Sequence, residues 1–285
     1  MKQLMTHIVA GYPTIAKSQQ LALTMAKSGV SFIEIQIPFS DPVADGRTIM
    51  EANQVALENG TTPEDCFELM ARLKHKTHIP LLFMTYFNIP FRYGLEKFCE
   101  RAKAVGAYGL IIPDIPIDEE PYDHYIKLCK KHDLHPIQVI SSITPEERLK
   151  RIGKVASGFV YCVTGTRTTG ERKELDSDSG DYLSRVRKHI RIPLALGFGI
   201  SSKKQVKAVL KKADIAVIGS KILKLSQSCP SGRDRVRRFI LSLNSARIGA
   251  PHPLYDSCGS GSKNAKWGTH GVPNGNGLWT WCHGK

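Results

Sequence analysis

The chain has 285 residues, 41% of them hydrophobic, which is enough for a buried core in one large domain or two small ones. No apolar run approaches the roughly 20 residues of a membrane span, and the first seven residues lack the apolar stretch of a secretory signal. The net charge of +14 is spread over helix-like segments without a nucleic-acid-binding signature, so we expect a cytoplasmic protein with no membrane or nucleic-acid partner.

Strand-like and helix-like segments alternate along the chain. Strands are predicted at residues 6–10, 32–37, 81–86, 109–112, 136–140, 159–163, 193–196 and 215–218. Helices are predicted at residues 18–27, 48–58, 94–105, 119–132, 145–152, 182–189, 202–211 and 233–243. A further helix begins after Thr62, which is predicted to be its N-cap residue with Pro63 at the first helical position, and Thr144 is predicted to cap the helix at 145–152.

Eight short apolar strands, each followed by helical sequence, indicate a parallel sheet with both faces covered. Eight such units in about 240 residues favour a (β/α)8 TIM barrel. A doubly wound open sheet is the alternative, but it typically has fewer strands in this length.

The last part of the chain differs in composition from the rest. Residues 244–285 hold all three tryptophans and have no apolar period, so we predict a barrel domain at 1–243 and a glycine-rich, disordered or loosely attached tail at 244–285. The seven cysteines form no CxxC pair, and the histidines and cysteines of the tail match no ligand spacing, so no metal site is expected.

Two acidic residues near the second strand are the first candidates for chemistry. Glu34 lies inside an apolar run, where burying a carboxylate costs free energy unless it has a purpose, and Asp45 lies in the loop that follows. Because barrel sites lie at the carboxyl ends of the strands, the two are predicted to form an acid/base pair. A structural carboxylate at Glu34 and a turn residue at Asp45 are the alternatives.

Other rim segments suggest a phosphorylated substrate. Gly197 to Ser201 follow the seventh strand, and Gly219 and Ser220 open a helix after the eighth, where barrels often bind phosphate through backbone N–H groups. Asp114 follows the fourth strand, and Tyr161 in the sixth strand is expected either at the barrel mouth or packed in the core.

The segment from Glu34 to Gly46 resembles the signature of the tryptophan synthase alpha chain family. The resemblance covers about residues 6–243 and extends, in the same order, to 10–13, 86–88, 113–116, 169–170, 197–201 and 219–220. It implies a TIM-barrel lyase of tryptophan biosynthesis that cleaves indole-3-glycerol phosphate to indole and glyceraldehyde 3-phosphate in a retro-aldol reaction.

The resemblance also implies roles for individual residues. Glu34 would be the general acid/base, and Asp45 would accept the indole N–H and stabilise the positive charge that develops there. Thr169 would lie on a mobile loop over the substrate. The substrate pocket would contain Tyr161, Thr169 and Asp114, and the phosphate would be held by Gly170, Gly199, Gly219 and Ser220.

The resemblance implies no cofactor on this chain and a partner beta chain that carries pyridoxal phosphate, in an alpha2-beta2 heterotetramer. Asp41, Pro42 and Pro116 would lie on the surface that contacts this partner.

The sequence also differs from the family pattern. Gln36 stands where the family usually has glycine, and His7 where it more often has phenylalanine. Gln36 is expected on the same side of the strand as Glu34, where it would crowd the pocket or hydrogen-bond the catalytic carboxylate.

The difference at Gln36, together with an exchange of Gly165 and Arg167 in the loop after the sixth strand, motivates a second hypothesis. In it the chain is a weakly active or inactive alpha-like subunit that binds and activates a beta chain. Another phosphate-binding barrel enzyme is the third hypothesis, against which the Glu34 to Gly46 segment argues.

Overall fold

The computed structural model describes residues 2–163, 179–197, 199–227 and 231–246. Eight parallel strands form a closed barrel in chain order, and β1 pairs with both β2 and β8. The predicted (β/α)8 barrel is confirmed, and the open sheet is excluded. The strands are β1 (Gln3–Val9), β2 (Phe32–Gln36), β3 (Leu81–Met84), β4 (Gly109–Ile111), β5 (His135–Ser141), β6 (Val160–Val163), β7 (Leu194–Gly197) and β8 (Ile215–Ile218).

Helices follow the strands on the outside of the barrel. They are α1 (Ile15–Lys27), α2 (Arg47–Glu58), α3 (Pro63–Lys74), α4 (Asn88–Tyr93), α5 (Leu95–Ala104), α6 (Glu120–Asp123), α7 (Tyr125–Lys131), α8 (Glu146–Val155), α9 (Ser179–His189), α10 (Lys203–Lys212), α11 (Ser220–Ser226) and α12 (Gly232–Asn244). None of the helices in these described ranges is long and apolar enough to cross a membrane.

Local sequence signals predicted some helix ends correctly and others incorrectly. Thr62 is the N-cap residue of α3 with Pro63 at its first position, as predicted, and the structure adds a capping box between Thr62 and Asp65. The prediction for Thr144 is wrong, because its hydroxyl accepts a hydrogen bond from the Ser141 N–H at 2.9 Å and α8 begins only at Glu146. The single helix predicted at 119–132 is interrupted between α6 and α7, where His124 adopts a left-handed conformation with φ of 55°.

The side chains of β2 point alternately to the outer core and to the inside of the barrel, where the site lies. Ile33 and Ile35 pack in the outer layer between the strands and the helices, whereas Phe32 belongs to the cluster inside the barrel. Because successive side chains of a strand point to opposite faces, Glu34 and Gln36 share the inner face with Phe32. An apolar run with acidic and amide residues at every second position therefore builds the wall of a site.

Aromatic rings fill the end of the barrel at which the strands begin. The Phe32 ring lies 5.5 Å from that of Phe159 and 5.9 Å from that of Tyr108, measured between centroids. All three residues stand at or just before the first residue of a strand. The barrel is thus packed at its amino-terminal end, and the polar groups lie toward the carboxyl ends of the strands.

The boundary predicted at residue 243 stays a prediction. Helix α12 ends at Asn244, and all of the proposed tail beyond Ala246 lies outside the described residues.

Candidate active site

Glu34 lies in the barrel wall beside a histidine of the neighbouring strand. The register of β1 and β2 sets His7 opposite Glu34, and the imidazole Nδ1 is 3.3 Å from Oε1 of the carboxylate. Both side chains are buried, with relative exposures of 4% for His7 and 3% for Glu34. Burial alone lowers the pKa of His7, but the carboxylates of Glu34 and Asp45 outweigh it, and the net pKa is raised above 6.5.

Asp45 is held by two hydrogen bonds from other parts of the barrel. Its Oδ2 accepts from Nε2 of Gln36 at 2.7 Å and from the hydroxyl of Tyr86 at 3.0 Å. Burial raises the pKa of Asp45 above 3.8 and outweighs His7 and both hydrogen bonds, which lower it. Gln36 therefore bonds an acid of the predicted pair, but that acid is Asp45.

The loop that carries Asp45 is fixed from two sides. The Tyr86 hydroxyl accepts a hydrogen bond from the Ala44 N–H at 3.1 Å, in addition to the one that it donates to Asp45. On the other side, Oδ1 of the buried Asn53 on α2 accepts from the Phe39 N–H at 2.9 Å. A loop that is hydrogen-bonded both to the segment after β3 and to α2 presents its carboxylate in a defined position.

Tyr161 of β6 completes the wall opposite the two acids. Burial, together with the charges of Glu34 and Asp45, raises the pKa of the Tyr161 phenol well above 10. A Cβ atom placed on Gly197 of β7 would lie 3.0 Å from the Tyr161 hydroxyl, so glycine at this position leaves room for the ring. The residues of β1, β2, β6 and β7 thus surround one space.

One of the glycines predicted to hold phosphate, Gly219, lies beside His7 and so beside this space. Gly199 has a φ of +67°, a conformation that suits glycine. Gly219 is the residue before α11, and a Cβ atom placed on it would be 3.5 Å from Cβ of His7. Ser220 is buried at the first position of α11. Gly170 and Thr169 lie outside the described residues.

Asp114 has a structural contact. Its two carboxylate oxygens accept hydrogen bonds from the Phe87 N–H at 2.9 and 3.1 Å, so the side chain joins the segments after β3 and β4. Burial raises the pKa of Asp114 above 3.8 against the effect of the bond from Phe87. A direct role for Asp114 in the substrate pocket stays a prediction.

The three residues predicted to contact a partner differ in exposure. Asp41 and Pro116 are exposed, whereas Pro42 is buried in its loop. Within the described ranges, no group of three or more His, Cys, Asp or Glu side chains could hold a metal ion.

Comparison with known proteins places the chain in one family. The sequence profile described as "Tryptophan synthase alpha chain" matches residues 1–246. The chain is 43% identical to the tryptophan synthase alpha chain of Desulfotalea psychrophila over 240 residues, which are 84% of this chain and 93% of that relative. It is 42% identical to that of Syntrophotalea carbinolica with the same coverage. The chain belongs to the tryptophan synthase alpha chain family.

Solved structures give the same result for the fold. A structure of Mycobacterium tuberculosis tryptophan synthase aligns with a TM-score of 0.80 and 28% identity, covering 87% of this chain and 93% of that one. An alpha-subunit variant from Pyrococcus furiosus aligns with a TM-score of 0.78 and 29% identity, covering 85% and 98%. The family membership confirms the prediction of a lyase of tryptophan biosynthesis that cleaves indole-3-glycerol phosphate.

Sequence reasoning did not assign two of the side chains that hold the acids. His7 contacts Glu34 only because β1 and β2 pair in one register, and Tyr86 reaches Asp45 from 41 residues away in the sequence. The sequence distinguished His7 only as a difference from the family pattern and Tyr86 only as part of a matching segment, and neither observation indicated a contact with an acid.

Proposed function

We propose that Glu34 and Asp45 carry out the cleavage of indole-3-glycerol phosphate in this chain. The observation that supports this is their arrangement: two buried carboxylates, one from β2 and one from the loop it feeds, act electrostatically on the same histidine and the same tyrosine. The glycine segments after β7 and β8 lie at the same end of the barrel. In this proposal a substrate with an indole ring and a phosphate at opposite ends lies with its ring at the acids and its phosphate at the glycine segments.

Glu34 exchanges protons with the substrate in this proposal. Its acid form protonates C3 of the indole, which weakens the bond from C3 to the glycerol chain. The carboxylate that remains then takes the proton of the adjacent glycerol hydroxyl as the carbon–carbon bond breaks, which releases indole and glyceraldehyde 3-phosphate. One carboxyl group acts first as acid and then as base and returns to its starting form.

Asp45 stabilises the charge that develops on the ring. Protonation at C3 makes the ring nitrogen positive, and a carboxylate that accepts its N–H favours that state in a site with little water. The role requires an ionised Asp45, although burial raises its pKa. The hydrogen bonds from Gln36 and Tyr86 favour the ionised form.

The phosphate contacts follow from the loop geometry. Backbone N–H groups at Gly199, Gly219 and Ser220 bind the phosphate, with the start of α11 nearby. Tyr161 packs against the substrate, and Thr169 and Gly170 act from the loop after β6. The assignments of Thr169, Gly170 and Asp114 rest on the family resemblance alone.

A rate measurement tests the two acids. Glu34→Gln and Asp45→Asn should each lower kcat for indole release by about 10²-fold or more, because each removes a group that acts in the transition state. Glu147→Gln removes an exposed carboxylate on α8 and should leave kcat unchanged. A Glu34→Gln variant with the wild-type rate would reject the assignment. Wild-type protein that releases no indole but activates the beta chain would favour the regulatory hypothesis.

We also propose that a beta chain docks on the rim after strands β2 to β5. Large apolar side chains that are exposed in the described residues concentrate there, including Val43 at 73%, Phe91 at 61%, Tyr122 at 79% and Ile143 at 73%. Exposed apolar side chains that cluster at one end of a soluble protein are typical of an interaction surface. Asp41 and Pro116 lie in the same loops, and the buried Pro42 shapes the loop that carries Val43.

Titration of the beta chain tests this surface. Val43→Asp should weaken binding measured by calorimetry, whereas Leu241→Asp on α12, also exposed, should not. Equal affinities for the two variants would contradict the docking site. Pyridoxal phosphate on that partner, an alpha2-beta2 assembly, and a cytoplasmic location stay predictions.

A further inference from the structure

His7 lies beside Glu34 in the barrel wall, and the cleavage described so far gives its imidazole no task. The two residues are opposite each other on adjacent strands, with Nδ1 3.3 Å from Oε1. The backbone of neighbouring strands in a closed barrel is fixed by the ladder between them, so neither side chain can leave the other without a change of rotamer. The contact is therefore a built feature of the site.

The groups around His7 favour its charged form. Glu34 and Asp45 from β2 and its loop both attract a proton to the ring. Tyr161 from β6 faces the two carboxylates and has its pKa raised, so it is neutral. On the side of β8 and α11, the uncharged Gly219 lies beside His7. Glu34, Asp45 and the amide of Gln36 all raise the pKa of His7, and no basic side chain is among the groups that affect it.

The outer atoms of the pair are buried and unsatisfied. Nε2 of His7 and Oε2 of Glu34 have no hydrogen-bond partner among the described residues, and the same holds for Oε1 of Gln36. Buried polar atoms normally have a partner, and exceptions are frequent at sites of proton transfer. The contact between Nδ1 and Oε1 thus leaves one polar atom of each partner available.

We propose that His7 and Glu34 form a pair that holds a single proton, with His7 as a positioning residue that acts through Glu34. The inference rests on the proposed role of Glu34 as the acid/base group. In one form of the pair His7 is an imidazolium and Glu34 a carboxylate. In the other the proton has moved from Nδ1 to Oε1, which leaves a neutral imidazole and a carboxylic acid.

The proton balance of the reaction is preserved. The acid form of Glu34 gives its proton to C3 of the indole, and the resulting carboxylate accepts the glycerol hydroxyl proton when the carbon–carbon bond breaks. A half-turn of the carboxyl group, about a torsion with two-fold character, exchanges the oxygen that faces His7 with the other one. The pair ends with the one proton with which it began.

The pH dependence of kcat distinguishes a proton-sharing His7 from a packing residue. A pair with two basic sites keeps its last proton to higher pH than a lone carboxylate. His7→Phe, which fills similar space, and His7→Asn, which keeps a donor near the position of Nδ1, should both move the high-pH limb of kcat downward by roughly one to three pH units. His7→Asn should retain the higher kcat, because it still positions the carboxylate.

An unchanged high-pH limb in both variants, with Glu34→Gln inactive, would overturn the pair and leave the role of Glu34 intact. A Glu34→Gln variant that stays active would instead overturn the proposed function. The two failures are thus distinct.

An NMR titration of the histidine Cε1–H signals in the full-length chain tests the pair without activity. The His7 signal is assigned by its loss in His7→Asn or His7→Phe. The pKa of His7 should lie above 6.5 in the wild type and about one unit or more lower in Glu34→Gln. Burial disfavours the charged imidazolium, and the variant lacks the carboxylate charge that offsets this effect. His135, whose pKa burial and Lys103 lower, lies at the start of β5 and serves as an internal control. An equal His7 pKa in the two proteins would contradict the pair.

Discussion

Replacement of Gln36 by methionine tests how Asp45 is kept ionised. The side chains have similar length, but methionine cannot donate the 2.7 Å hydrogen bond from Nε2 of Gln36 to Oδ2 of Asp45. A hydrogen bond to a charged group contributes about 1.5–3 kcal/mol, and one pKa unit corresponds to about 1.4 kcal/mol. The pKa of Asp45, already raised by burial, should therefore rise by roughly one to two further units.

The expected result is a shift of the acid limb of the activity profile. Because Asp45 must be ionised to stabilise the charged indole ring, the low-pH limb of kcat/KM for indole release should move upward by the same one to two pH units. Tyr86→Phe removes the second donor to Oδ2 and should move the limb in the same direction. Gln36→Met also removes the 3.4 Å contact of Nε2 with Oδ1 of Asn53, but Asn53 keeps its bonds with the Phe39 N–H and the Ile49 carbonyl, so folding should be preserved.

Gln138→Met provides the matched control. Gln138 is also a buried strand glutamine, but its Nε2 donates to the Pro136 carbonyl. Its replacement should leave the acid limb in place. An unchanged limb in Gln36→Met, or an equal shift in the Gln138 variant, would refute the reasoning.

Three further predictions concern phosphate binding and stability. Gly219→Ala should fold normally, because the added Cβ meets only ordinary contacts, but should raise KM about tenfold by blocking the approach of phosphate. Unchanged KM would argue against the phosphate site. The raised pKa of His7 means that its protonation stabilises the native state fully below pH 6.5 and that this contribution is lost as pH rises through the native pKa. The unfolding free energy in urea, wild type minus His7→Phe, should therefore fall with increasing pH above 6.5, and a constant difference would contradict this. Thr62→Ala should lower the unfolding free energy by about 1 kcal/mol through loss of the α3 capping box, with no effect on kcat.

Much of the architecture follows from local sequence patterns. The apolar runs and helical periods predicted eight strands in the correct order, and β8 was located to the residue at Ile215–Ile218. Local chemistry also predicted that Thr62 caps α3, since the N-cap residue and the first turn of the helix are adjacent in the sequence. Where local signals competed, the prediction was wrong. The Thr144 hydroxyl accepts a hydrogen bond from the Ser141 N–H of the preceding turn, and α8 begins only at Glu146.

The contacts within the site could not be predicted in this way. The sequence indicated that Glu34 and Asp45 belong to one rim, and the resemblance supplied their roles. Neither the sequence nor the resemblance indicated that the Gln36 amide would donate to Asp45 and not to Glu34, because both carboxylates are close to Gln36 in the sequence.

The amino-acid sequence by itself determined the order of strands and helices, the inward face of β2 with Glu34 on it, and the place of Asp45 in the loop that follows, because these depend on the spacing of residues along one segment. Only the tertiary structure decided that His7 faces Glu34 and that Tyr86 holds Asp45. Those contacts depend on the register of paired strands and the path of a loop, which are set by closure of the whole barrel and by no single segment.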